Sequence, residues 1–317
     1  MDKPKTIQEL KESLDAFRYS DAALMTVREL LTGTANIALP TAIQARALLT
    51  LQNWVDLRPY ARRVGVPKGV GKTASVQVMT QPDYSDWTEG TALAAADPTL
   101  AKVDVTIAPF GKNTKISDLL ANVSAIDFVE EVGRVHGGCV AQGIFDKIVD
   151  ALAGATGNSV SIGTKGDGVE ANFTFANVSD AIAAIMADGE RPDFIATAPD
   201  KLWTCFSTDY DRKMFYGSLN DFLMQGVIPK VFGLTWLMDV YFEKAINAGN
   251  LWNGTDGEKY AVVGTTERSV AWAALQDDPV VEVYRKGDEL SNYVITHLDG
   301  GAAKLVDNSI CIIKHAA

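Results

Sequence analysis

Cysteine is scarce in this chain: Cys139, Cys205 and Cys311 are its only three among 317 residues. Few, odd in number and widely scattered, they speak against a disulfide framework or a zinc site, and they fit a protein made in a reducing compartment. Histidine is as rare, with only His136, His297 and His315. No apolar run approaches the roughly 18 residues a membrane-spanning helix needs. The opening Met1-Asp2-Lys3-Pro4-Lys5 leads into a polar stretch through Leu14, which does not read as a secretory signal. A basic surplus is missing too. The net charge is −11, and the densest basic stretch is Arg58, Arg62, Arg63, Lys68 and Lys72. Specific nucleic-acid binding, which needs cations to neutralise phosphates, is therefore disfavoured.

What is present is apolar bulk. Hydrophobic residues make up 47% of the chain, enough for one large domain or two lobes with a substantial core. Residues 1–36 form a polar leader in which Ile7, Leu10, Leu14 and Phe17 recur at helical spacing. A further helix is expected from Leu39 to Val55, with Pro40 in its first turn. The pattern then changes to alternation. Val76 and Val78 share one face of Ala74–Met79, and Val103, Val105 and Ile107 share one face of Lys102–Ile107. Between these strands lies a long connection carrying Pro82, Gly90 and Pro98, and connections of that length tend to be functional. The segment is expected to be a hairpin arm that reaches beyond its own subunit.

The strongest element follows. Ser124 and Asp127 have capping-box spacing, and Ile126, Val129, Gly133, His136, Val140, Ile144 and Ile148 advance at about 3.6 residues per turn. Phe128, Val132, Val135 and Cys139 widen this apolar face, while Glu130, Glu131, Arg134, Gln142 and Asp146 hold the other. Gly133, Gly137, Gly138 and Gly143 lower the helix propensity, which implies close approach by another backbone. Gly154–Gly168 reads as a loop. Beyond it come helix Val178–Ala187, strand Phe194–Thr197, helix Pro199–Ser207, strand Val231–Val240, strand Tyr260–Val263 and helix Arg268–Leu275. The last stretch reads as four strands, Val280–Tyr284, Tyr293–His297, Ala303–Val306 and Ile310–Ile313, parted by turns that include Gly300-Gly301 and Asp307-Asn308.

No motif for chemistry survives inspection. Gly71-Lys72-Thr73 resembles a phosphate-binding loop, but the required upstream glycine position holds Val66 and a strand follows where a helix must open. It reads as a turn into the hairpin. His136 and Cys139 could share a metal, yet no second pair has ligand spacing, so a hydrogen-bonded core histidine is the better reading. Cys205 has no base nearby in sequence and no nucleophile elbow is present. Asp209, Asp211, Asp277 and Asp278 read as solvated turn residues, and Trp203, Trp236, Trp252 and Trp272 as core or contact residues. No catalytic residue, metal or other cofactor is expected.

The order of elements is distinctive: N-terminal arm, long hairpin, long spine helix, glycine-rich stretch, mixed lobe, strand-rich return. Val105-Thr106-Ile107 through Ile116-Ser117-Asp118-Leu119-Leu120 resembles a strand entering a short turn before such a spine. Ala261-Val262-Val263-Gly264, a helix and then Val280–Arg285, with the ending Gly301–Ile310, is similar to the late part of the same family. The chain thus resembles the Hong Kong 97 capsid fold, shared by the major capsid proteins of tailed viruses (bacteriophage or archaeal) and by encapsulin nanocompartments. The resemblance covers roughly residues 37–317.

It implies an α+β fold with an N-terminal arm (1–59), an extended hairpin loop (60–110), a peripheral domain around the spine helix (111–175 and 278–317) and an axial domain (176–277). It implies a non-enzymatic subunit that assembles into hexamers and pentamers of an icosahedral virion shell in the host cytoplasm. The acidic balance is compatible with a wall that encloses nucleic acid without specific binding, and equally with any ordinary soluble protein. Portal, scaffolding and decoration proteins are implied partners, and the short leader implies a separate scaffolding protein or none. Tyr84, Trp87 and Leu93 at the hairpin tip, with Lys68 and Lys72 at its base, are the candidate subunit contacts. Some members join a lysine to an asparagine, and Lys68, Lys72 and Lys102 lie in the right region without identifying such a bond. An encapsulin-type shell and an α/β enzyme are the alternative readings.

Overall fold

The computed structural model describes residues 43, 44, 46, 47, 55–66, 71–79, 89, 100–117, 128–164, 173–208, 232–239, 242–246 and 259–316. In chain order the elements are β1 (Arg62–Gly65), β2 (Thr73–Met79), β3 (Leu100–Thr106), β4 (Ala108–Ser117), α1 (Phe128–Ala153), β5 (Asn158–Thr164), α2 (Phe175–Ala187), β6 (Phe194–Thr197) and α3 (Pro199–Thr208). They continue with β7 (Thr235–Met238), α4 (Phe242–Ile246), β8 (Lys259–Gly264), β9 (Val270–Ala274), β10 (Val280–Lys286), β11 (Ser291–Lys304) and β12 (Ile310–Ala316). The chain divides into two compact units. The first comprises 1–54, 109–143 and 276–299, the second 55–108, 144–275 and 300–317. Both α1 and β11 pass from one unit into the other.

In the first unit β10 and β11 pair antiparallel from Val280↔His297 to Lys286↔Ser291, and β4 also pairs with β11. Ile43, Ile116, Val132, Val281 and Val294 form its apolar centre. The expected approach of another backbone is met at Gly133, where Ile43 O would lie 3.1 Å from a Cβ, whereas the close neighbour of Gly143 is a side chain. A Cβ on Gly133 would stand 2.7 Å from Arg46 Cβ, and one on Gly143 would stand 2.5 Å from the Phe110 ring. Val132, His136 and Val140 lie on the buried face of α1, with Glu131 and Arg134 exposed, as the 3.6 period required. Val135 departs from the expectation: it is 41% exposed, one position round the helix from the stripe.

The second unit holds the larger core. A five-stranded sheet runs β5-β12-β8-β6-β7, with β5–β12 and β6–β7 parallel and the others antiparallel. Phe175, Val178, Ala181 and Ile185 of α2 pack on Ile195, Val263 and Ile313 of this sheet. The start of α2 is held by Asn177 Oδ1, which accepts from the Thr174 N–H at 2.9 Å and the Thr174 hydroxyl at 2.7 Å. At the other end of α1, Lys259 Nζ donates to Ala153 O and Lys304 Nζ to Gly154 O, each at 3.0 Å. Two ammonium groups thus meet carbonyls that the helix cannot satisfy itself.

Several expectations need correction. The predicted helix Arg268–Leu275 is strand β9, buried along Val270–Ala273 and paired with β1 on one side and residues 300–304 of β11 on the other. The Gly300-Gly301 turn does not exist: β11 runs unbroken through it. The loop Gly154–Gly168 contains β5, whose partner is β12. The strand expected before the spine continues as β4 over Ala108–Ser117, the turn after it lies outside the described residues, and β1 is a strand the sequence pattern does not show. Val231–Val240 shrinks to Thr235–Met238 among the described residues.

Candidate functional site

Local alternation builds the hairpin. Strands β2 and β3 pair antiparallel without a slip from Thr73↔Thr106 to Met79↔Leu100. Its base is anchored: Ala74, Val76, Val105 and Ile107 pack with Ala271, Ala273 and Leu305 in the second unit. Gly71, at φ +104, makes the turn into β2, and the Ile107 N–H donates to Lys72 O at 2.8 Å. A strand therefore follows Thr73, where a phosphate-binding loop would need a helix.

Burial falls along the hairpin. Val76 and Val105 are buried, Val78 and Val103 are half-buried, and Met79 and Leu100 are 55% and 61% exposed. Two large apolar side chains thus stand in solvent at the outer end of the described part, which suits a surface that packs on something else. The polar face is organised as well. Ser75 Oγ donates to Asp104 Oδ1 at 2.6 Å and Lys102 Nζ lies 3.2 Å from the same oxygen, and these two neighbours hold the Asp104 carboxyl below its ordinary value. Lys72 is exposed at the base. The other candidate contacts, Lys68, Tyr84, Trp87 and Leu93, lie outside the described residues, as do the 1–36 leader and the Ser124–Asp127 pair. A shallow groove of about 320 Å³ is lined by Gln77, Val78 and Met79 of β2 with Arg62, Glu267, Arg268 and Leu305. Arg268 is held there by Glu190 at 2.9 Å.

A second constellation, in the first unit, was not visible from sequence. Glu289, in the turn between β10 and β11, accepts from Lys115 Nζ at 2.5 Å, from Lys286 Nζ and from the Tyr293 hydroxyl. These three donors lower its carboxyl to about 2. Tyr284 stacks on Tyr293 with ring centroids 5.1 Å apart. Lys115 lies 174 residues from Glu289 in the chain, and only the pairing of β4 with β11 brings them together.

His136 is fully buried with Nε2 2.7 Å from Thr114 Oγ1 and Nδ1 2.8 Å from Thr296 Oγ1, so it is the hydrogen-bonded core histidine expected. Cys139 is half-buried. Among the described residues no group of three or more His, Cys, Asp or Glu side chains could hold a metal. Cys205 is buried in α3 with Sγ donating to Phe173 O at 3.4 Å, and burial pushes the Cys311 thiol up to about 12, away from the thiolate a nucleophile needs. Asp277 and Asp278 are exposed, Asp209 and Asp211 lie outside the described residues, and Trp236 and Trp272 are buried, as a core role requires. No described helix is long and apolar enough to cross a membrane.

No family model matches the chain, and no curated protein is similar to it in sequence. Solved structures do match its fold. The capsid of the cyanophage P-SCSP1u superposes with a TM-score of 0.63 at 12% identity, covering 83% of this chain and 88% of that one. The mature capsid of bacteriophage PhiM1 gives 0.59 at 13% identity, covering 82% and 87%. A virus-like particle from Pyrococcus furiosus gives 0.54 at 9% identity, covering 86% and 97%. The α+β fold implied by the sequence resemblance is therefore shown: this chain folds as these capsid and particle proteins do, over most of their length and its own.

Proposed function

We propose that this chain is the major capsid protein of a tailed virus and that it works by assembling with copies of itself into a closed icosahedral shell around the viral genome. The observation that carries the reading is the fold itself, matched across more than four-fifths of the chain by two phage capsids. The exposed Met79 and Leu100 at the outer end of a base-anchored hairpin supply the physical motive, because apolar surface left in water gains by being covered. In this reading Tyr84, Trp87 and Leu93 dock on a neighbouring subunit, with Lys68 and Lys72 flanking the docked arm. The spine helix belongs to a peripheral domain and residues 176–277 to an axial domain that meets its copies around capsomer centres.

The role is structural, with no reaction catalysed and no cofactor required. Hexamers and pentamers of the chain form the virion wall, assembled in the host cytoplasm, and portal, scaffolding and decoration proteins are its partners. The acidic balance keeps the wall from gripping the enclosed nucleic acid. Negative-stain electron microscopy of the purified chain, with light scattering across protein and salt concentration, tests this. Closed shells or discrete capsomers are expected, and a strict monomer under all conditions overturns the reading. Shells filled with a cargo protein in place of nucleic acid would identify the encapsulin-type alternative.

A further inference from the structure

Three elements of the first unit meet at one buried imidazole. His136 of α1 has no solvent exposure, and its two ring nitrogens reach Thr114 on β4 and Thr296 on β11. Strand β4 is pressed tightly into this corner. A Cβ on Gly111 would stand 2.0 Å from Thr296 O, and the Phe110 ring occupies the space beside Gly143. A corner packed this closely has little slack with which to absorb a change at its centre. Histidine is the side chain whose ordinary value puts a charge change between about pH 5 and 8.

As a neutral ring, His136 donates from one nitrogen and accepts at the other, and each threonine hydroxyl can turn to suit. As an imidazolium both nitrogens donate, and a full positive charge sits in the core. Among the described residues the surrounding charges do not compensate it. Strand alternation places Lys112 on the same face of β4 as Thr114, toward the ring, and Lys115 on the other face, where Glu289 holds it. On α1, Glu131 and Arg134 pair with each other at 2.5 Å on the exposed side. Arg46, another cation, lies against α1 at Gly133, one turn before His136. On β11, Thr296 shares its buried face with Val294 and Leu298, and His297 and Asp299 belong to the other. Val281 of β10 stands opposite Thr296, and its neighbour Glu282 is exposed.

We propose that His136 is an acid-sensitive latch: neutral, it clasps β4 to α1 and β11, and its protonation releases β4. Burial, and then Lys112, holds the ring's proton affinity below the ordinary histidine value of 6.5. The opened form takes up a proton at about 6.5 and the clasped form only at lower pH. The clasp is therefore at full strength above about pH 6.5 and weakens as pH falls, until the clasped ring itself titrates. Over that window the opened population grows by up to about tenfold per pH unit.

Hydrogen–deuterium exchange of the full chain at about pH 7.5 and about pH 5 tests this, with rates corrected for the intrinsic pH dependence. Exchange in residues 109–117 is expected to rise on acidification, by at most about tenfold for each pH unit below about 6.5. Residues 310–313, in the core of the second unit, should not change. His136→Gln keeps a donor and an acceptor but cannot titrate, so the rise should vanish. Lys112→Gln, at an exposed position, brings the clasped and opened values closer together, so the rise should shrink. An unchanged wild-type segment, or an equal rise in His136→Gln, overturns the latch. Should His136→Gln fail to fold, Lys112→Gln decides: a smaller rise supports the latch and an equal one overturns it.

Discussion

The indole of Trp272 occupies the space that a side chain at Gly300 would need, since a Cβ there would stand 2.7 Å from Cζ2. Glycine is in the middle of β11 for clearance. Two adjacent glycines read locally as a turn, but here they let a long strand pass under a tryptophan on one side and a neighbouring backbone on the other.

That backbone makes Gly301 the less replaceable of the two. A Cβ on Gly301 would lie 2.0 Å from Thr106 O, a main-chain atom that cannot rotate aside. Gly301→Ala should cost about 2 kcal/mol or more and visibly lower the thermal midpoint. Gly65→Ala on β1 meets nothing within 4 Å and should stay within about 0.5 kcal/mol of the wild type. Thermal melts of the two variants side by side check the pair, and equal midpoints would count against the β3–β11 approach.

Val140→Lys should impair folding of the subunit. Val140 is fully buried on α1, and an unpaired ammonium there must neutralise or cost about 3 kcal/mol or more. Glu131→Lys, on the exposed face, replaces a solvated ion pair with Arg134 by a solvated like-charge contact and should be far milder. Soluble yield and cooperative melting measure both. Similar losses would mean that the helix presents a different face to the core.

Glu289 predicts a pH dependence. Its folded carboxyl is depressed from 4.5 to about 2 by Lys115, Lys286 and Tyr293. Its contribution to stability is therefore present above about 4.5 and is lost as pH falls toward 2. Glu289→Gln should flatten that part of the acid limb of the melting profile, while lowering the midpoint at neutral pH. Parallel wild-type and variant curves between these limits would show that the three contacts do not persist in solution.

Replacing residues 82–98 with a short Gly-Ser turn should leave a soluble, cooperatively melting subunit that builds no shells. The anchoring residues Ala74, Val76, Val105 and Ile107 all lie outside the replaced segment. Melting and electron microscopy of one preparation are compared. Normal shells would remove the assembly role of the tip, and an insoluble product would place the segment in the core.

Some of this molecule was legible in its residues alone. The alternation in 73–79 and 100–106, the 3.6 period of α1 and the strand at Phe194–Thr197 are local signals, and local sterics and burial are enough to set them. Even His136 could be read as a core residue, because no second ligand pair accompanied it. The segment Val270-Ala271-Trp272-Ala273-Ala274 carried no period. Its alanines suit a helix as readily as a buried strand, and only its neighbours β1 and β11 decided for the strand. Strand β4, with Gly111, Lys112, Asn113 and Lys115, has no apolar alternation and exists through its pairing with β11. Composition and periodicity thus determined which segments are regular and which faces are apolar. The partners of His136, the company of Glu289 and the path of β11 were decided by tertiary structure, because each joins groups far apart in the chain, and no local pattern encodes which distant backbone will close against it.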